Sequence, residues 1–132
     1  MNPPNPVRTY NPDVPPASAE WLELDEGLRL HLVTSYHTGS DLTDSRLRLH
    51  AAIHVVVENQ IALGEEVGVE ALARLQREGL TRHEAIHAIG TAVSDHLFDI
   101  LRTDADDEVK QPANYMERVK HLTAEGWRKS GE

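Results

Sequence analysis

Apolar residues recur along this chain with the period of a helix, and no segment alternates with period two for long enough to make a convincing strand. Between Arg46 and Leu63 they fall at Leu47, Ile53, Val57 and Ile61, and at 100° per residue His50 and His54 lie in the same stripe. Gly64 suits the end of that helix. A shorter amphipathic segment then covers roughly Glu66 to Glu78 and ends at Gly79. Thr81 and Glu84 have the S/T-x-x-E spacing of a capping box, which predicts a helix from Arg82 to about Arg102. Its inward face collects His83, Ile86, His87, Gly90, Ser94, Leu97, Phe98 and Leu101, with His96 on the opposite side. Upstream, Ser18 is placed to cap a short helix holding Trp21, Leu22 and Leu24. Asp25 is placed to cap a second, whose stripe runs Leu28, Leu32, Tyr36 and which gives way to a loop from Gly39 to Ser45. Downstream, Asp104 to Glu108 reads as a solvated acidic connector, and Pro112 suits the first turn of a last helix carrying Tyr115, Val119 and Leu122. Six of the seven prolines lie in residues 1–17, which predicts an extended arm along which Val7, Tyr10 and Val14 are placed to dock. The expected architecture is all-α: a Pro-rich arm over 1–17, then a single small helical bundle of four to five main helices over 18–132.

Composition narrows the partners. A chain of 132 residues with 39% hydrophobic content supports one core and is too short for two domains. Thirteen Lys plus Arg against 22 Asp plus Glu gives 13 − 22 = −9 with no basic cluster, so nucleic acid and anionic membrane surfaces are excluded as expected partners. The absence of cysteine removes disulfides and thiolate ligands, leaving His, Asp and Glu for any transition metal. No apolar run follows Met1 and no stretch is long enough to span a bilayer, so a soluble, cytoplasmic protein is expected.

The chemistry is concentrated in a pentapeptide written twice, HAAIH at His50–His54 and HEAIH at His83–His87. A spacing of four puts both imidazoles of each copy on one helix face. If the intervening helix turns back between them, the two histidine helices run parallel. The lengths agree: about 14 Å from His54 to Leu63 and about 20 Å for the return, at 1.5 Å per residue. Four inward imidazoles at one level of a bundle are the makings of a metal site, with zinc ahead of iron, manganese or nickel. Glu58, Glu84 and Asp95 are the carboxylates placed to orient those rings from behind. His37, after Tyr36, is a spare ligand; His31, His96 and His121 read as surface or half-buried positions, and Trp21 and Trp127 as packing anchors.

Three functional classes compete. The first is a metal-binding protein whose site is structural or hydrolytic. The second reads H-E-x-x-H as a zinc hydrolase signature, with Glu84 as general base. Arg82 directly before the motif, a helix where the substrate-pairing strand would stand, and a capping role for Glu84 all weaken it. The third is an interaction module whose histidines satisfy a metal-free polar core. Glu84-x-x-His87 has the spacing of di-iron carboxylate bundles, but Glu58 has no matching histidine. A small-molecule or protein substrate and a homo-oligomer remain open.

The block over residues 47–101, with its H-x-x-x-H helix, the Glu58-Asn59-Gln60 segment, a short linker helix and an H-E-A-x-H-A helix, resembles an uncharacterised bacterial family, domain of unknown function 1841. The resemblance carries over His50, His54, Glu58, Gln60, His83, Glu84 and His87 as family-like positions, and implies a site without implying a reaction.

Overall fold

The computed structural model describes residues 9–37, 44–102 and 111–129. Val7, most of the loop expected at Gly39–Ser45 and the acidic stretch Asp104–Glu108 lie outside the described residues, as does the side chain of Phe98. Among the described residues there are seven helices and no strand: α1 (Ser18–Glu23), α2 (Glu26–His37), α3 (Asp44–Ala62), α4 (Glu66–Arg77), α5 (Arg82–Arg102), α6 (Gln111–Lys120) and α7 (Ala124–Lys129). No helix among them is long and apolar enough to cross a membrane.

The helix ends follow local chemistry. Gly64 and Gly79 close α3 and α4 at φ of 74° and 107°, a region that side chains with a Cβ rarely adopt. Asp25 caps α2 by accepting from the Leu28 N–H at 2.8 Å. Ser18 does not cap α1: it is the first helical residue, and Ala17 precedes it without a side-chain cap. The other end of α1 is tied down by Arg29, whose guanidinium donates to the Leu22 and Leu24 carbonyls. Unforeseen in the periodicity is α7, only six residues long, where Thr123 accepts from the Gly126 N–H and Trp127 is buried.

Helix α3 is the shared wall of two apolar clusters. On one side Val57 meets Leu75, Ile86, Ile89, Val119 and Trp127 from the helices that follow. On the other, Ala51 and Val55 meet Tyr10, Trp21, Leu32 and Val33 from the arm, α1 and α2. Two-sided burial explains why the single stripe expected for α3 was too narrow. Gly90 of α5 faces Ile53 of α3 so closely that a Cβ there would stand 2.9 Å from the isoleucine Cγ2. That contact seats the two histidine helices at one level.

Two stripes differ from expectation. On α2 the buried residues are Leu32 and Val33, while Leu28 and Tyr36 are 37% and 43% exposed. The helix is turned so that Arg29, Val33 and His37, spaced by four, face α3. On α5 the inward face fades toward the C-terminus, with Leu97 exposed and Leu101 81% exposed. The arm docks through Tyr10 and Pro12, both buried, whereas Val14, also expected to dock, is 58% exposed.

Candidate metal centre

Five imidazoles meet where the C-terminus of α2, the first half of α3 and the N-terminus of α5 come together. For every pair but His50 and His83 the ring centroids stand between 4.3 Å (His83 and His87) and 6.4 Å (His37 and His87) apart. One ring nitrogen from each of His37, His54, His83 and His87 lies within 4.8 Å of the other three. Three of the four sequence-predicted ligands are thus brought together. The fourth, His50, stands beside the group rather than in it, and the spare, His37, takes its place. His37 arrives because α2 is rotated, which carries its last residue into the cluster while Tyr36 lies across the outside, its ring 5.6 Å from that of His83.

The ring nitrogens can be assigned from their partners. His37 Nδ1 lies 2.8 Å from the Val33 carbonyl, which can only accept, so Nδ1 carries the proton and Nε2 presents its lone pair to the cluster. His50 Nε2 sits 3.1 Å from that nitrogen and must therefore be the N–H donor. At His54 the assignment comes through Tyr10. The Tyr10 hydroxyl donates its one proton to Glu58 Oε2 at 2.6 Å. His54 Nδ1, 3.2 Å from the same oxygen, therefore donates to it. Nε2 of His54, like Nε2 of His83 and His87, is buried with no hydrogen-bond partner among the described residues. Unsatisfied buried nitrogens in a native core call for an account.

Electrostatics keeps His50, His54, His83 and His87 neutral. Burial, then the neighbouring His37 and His83, lowers His50 to about 4. Burial, then His87 and the other rings, lowers His54 to about 2, and burial followed by His83, His50 and His37 lowers His87 to about 3. His83 is lowered too, by burial first and then His37, against the pull of Asp13 and Glu84. Lone pairs are thus available at neutral pH. Burial and the adjacent Glu58 raise the Tyr10 phenol, which keeps the proton on which the His54 assignment depends.

Behind His54 stands a network only partly foreseen. Glu58, 1% exposed, is the outer carboxylate expected, but it reaches the histidine through Tyr10. Its two oxygens also take a forked ion pair from Arg82, both contacts 2.8 Å. Burial opposes the Arg82 charge and the Glu58 hydrogen bond and charge outweigh it, so the guanidinium ends above its ordinary value. Arg82 also donates to the Pro12 carbonyl at 2.9 Å, and the His83 N–H donates to Asp13 Oδ1 at 3.0 Å, so the arm is pinned across the start of α5. Asp95 does not belong to the site: it is exposed, about 12 Å along α5 from His87 at 1.5 Å per residue.

Glu84 is occupied as a cap. Its Oε1 accepts from the Thr81 N–H at 2.9 Å, and Thr81 Oγ1 accepts from the Glu84 N–H at 3.0 Å. The carboxylate that an H-E-x-x-H hydrolase needs as a base is turned toward the backbone instead. The positive N-terminal end of α5 disfavours a cation at this point, and it is partly offset because α2 ends at His37 and presents its negative end to the same point. His50 and His54 lie well inside α3, beyond the first turn where such an effect acts.

The cluster opens on one side into a cleft of about 370 Å³. His50, His54 and His87 form its polar end, Ile53, Ile86 and Trp127 its apolar walls, and Thr91 and Ser94 contribute hydroxyls. Of the remaining histidines, His31 and His121 are exposed and His96 is half-buried against Tyr115. No family model, curated protein or solved structure matches the chain. The functional reading therefore rests on the site.

Proposed function

We propose that this protein binds one divalent transition metal, zinc ahead of iron, manganese or nickel, through the imidazoles of His37, His54, His83 and His87. The observations that carry the proposal are that one ring nitrogen from each of the four histidines lies within 4.8 Å of the other three, and that Nε2 of His54, His83 and His87 is buried without a partner among the described residues while the Val33 carbonyl sets the His37 tautomer. Left without a metal or other partner, each such nitrogen would cost about 1–3 kcal/mol, which weighs against a dry, metal-free polar core. A metal takes all four lone pairs at once. The absence of cysteine and the all-nitrogen donor set favour zinc and its neighbours over thiolate-bound centres. The resemblance to the domain of unknown function 1841 family, which carries over three of these four histidines, is in keeping with this reading.

The site is read as an open centre. Nitrogens of a regular zinc tetrahedron stand about 3.3–3.4 Å apart, given bonds of 2.0–2.1 Å. A span reaching 4.8 Å is wider than that and leaves room for a further ligand, on the side where the cleft begins. Glu84 as a general base is not favoured, because its carboxylate serves the helix cap. The test is elemental analysis of protein purified without an affinity tag, followed by zinc titration of wild type and His87→Ala. One metal per chain, lost or severely weakened in the variant while the helical circular dichroism is kept, supports the proposal. Wild type that takes up no metal refutes it.

A further inference from the structure

The metal reading leaves a charge to be balanced. Four neutral imidazoles around a divalent ion keep the full 2+, and no carboxylate sits in the four-residue group. Glu58, the buried carboxylate behind His54, has its charge taken up by Arg82. Asp13 and Glu84, the carboxylates that act on His83, lie outside the four-residue group and are held by the His83 and Thr81 backbone N–H groups. A half-buried dication with neutral ligands favours an anion at its remaining position. The side on which that anion could enter is the cleft, whose body is apolar.

His50 supplies the second handle. Its Nε2 is an N–H donor, assigned by the His37 contact at 3.1 Å. That donor is held only while the His37 lone pair is free. Once a metal takes the His37 lone pair, the His50 N–H loses its acceptor and faces the cleft it lines. A bare halide or hydroxide would satisfy the metal and leave the His50 N–H without an acceptor and the rest of the cleft unfilled. An anion with two acceptor oxygens and an apolar body answers all three features.

We propose that the cleft is a binding site for a small monocarboxylate with an apolar or aromatic body. One carboxylate oxygen takes the open position on the metal, and the other accepts from the His50 Nε2–H. The body lies against Ile53, Ile86 and Trp127. His50 is thereby a ligand-recognising donor rather than a fifth metal ligand. This rests on the metal reading above.

The experiment uses the full chain loaded with cobalt(II), whose visible absorption reports coordination, titrated with benzoate, acetate and benzyl alcohol. Benzoate is expected to perturb the cobalt spectrum saturably, at least about tenfold more tightly than acetate, because the ring adds buried apolar area. Benzyl alcohol, which lacks the charge, is expected to bind at least about tenfold more weakly than benzoate. His50→Leu is expected to keep one cobalt per chain and lose at least about tenfold in benzoate affinity. Stoichiometric cobalt with no benzoate binding, or with benzoate no tighter than acetate, overturns the carboxylate site and leaves the metal reading intact. Loss of cobalt in folded His50→Leu makes His50 a metal ligand and overturns its role here. If wild type takes up no cobalt, both readings fall together.

Discussion

At the scale of single residues, the arrangement turns on one proton. Tyr10 can give its hydrogen only to Glu58, so His54 must give its own to Tyr10 and keep Nε2 bare. Tyr10→Phe removes that acceptor while keeping the ring among its neighbours. Outer partners of this kind are worth about 10–100-fold in metal affinity, and a competitive zinc titration should register a loss in that range at unchanged helicity. Unaltered affinity would mean that the hydroxyl does not set the histidine. Glu84→Gln, by contrast, is expected to leave both thermal midpoint and metal content close to wild type, since glutamine serves equally in a capping box. A large loss of metal in that variant would return Glu84 to the site. The two HxAIH repeats were enough to locate three of the four converging imidazoles, because i, i+4 spacing survives any detail of packing. His37 was harder to see: its face begins with Arg29, a charged residue whose inward position is secured by backbone carbonyls, those of Leu22 and Leu24. Tyr10 was placed to dock, but no motif in the proline-rich arm marked its link to Glu58 and His54.

Between elements, the decisive contact is Gly90 against Ile53. The close approach of α3 and α5 brings the two histidine pairs level, and a methyl group at position 90 would meet the isoleucine Cγ2 at 2.9 Å. Gly90→Ala would gain about 1 kcal/mol in helix propensity. The overpacking costs about 1–3 kcal/mol, so a net fall in thermal midpoint and a weaker metal site are expected. Adding Ile53→Ala removes the obstructing methyl, and a double-mutant cycle should then show a favourable coupling between the two positions. Additive effects would mean that the helices are not held apart by this contact. Helix existence was legible throughout, since caps, glycines and a 3.6-residue period agree from Glu26 to Arg102. What escaped was rotation and length: the turn of α2 about its axis, set by its packing on α3, and α7, too short to carry a period.

For the molecule as a whole, the cluster couples folding to pH and to metal. His50, His54 and His87 are lowered to about 4, 2 and 3, and His83 is lowered as well, against about 6.5 in an unfolded chain. Below pH 6.5 the unfolded state therefore binds more protons than the folded one. Stability of the chelated protein is expected to be fully present above about pH 6.5 and to drop progressively as the pH falls toward 4 and below. Thermal melts in chelator at pH 7.5, 6 and 5 would check this, and a midpoint independent of pH over that interval would contradict it. Bound metal should raise the midpoint and steepen the same dependence, because protons and metal compete for the same nitrogens. The net charge of −9 gives no further pointer to a site, since the buried Glu58–Arg82 pair is internally balanced. The central claim is the ligand set, and X-ray absorption at the zinc edge of the loaded, tag-free protein addresses it most directly. A first shell of three or four imidazole nitrogens at about 2.0–2.1 Å, with the multiple scattering of histidine rings, is the expected result. A shell of oxygens alone, or zinc well below one per chain, would contradict it.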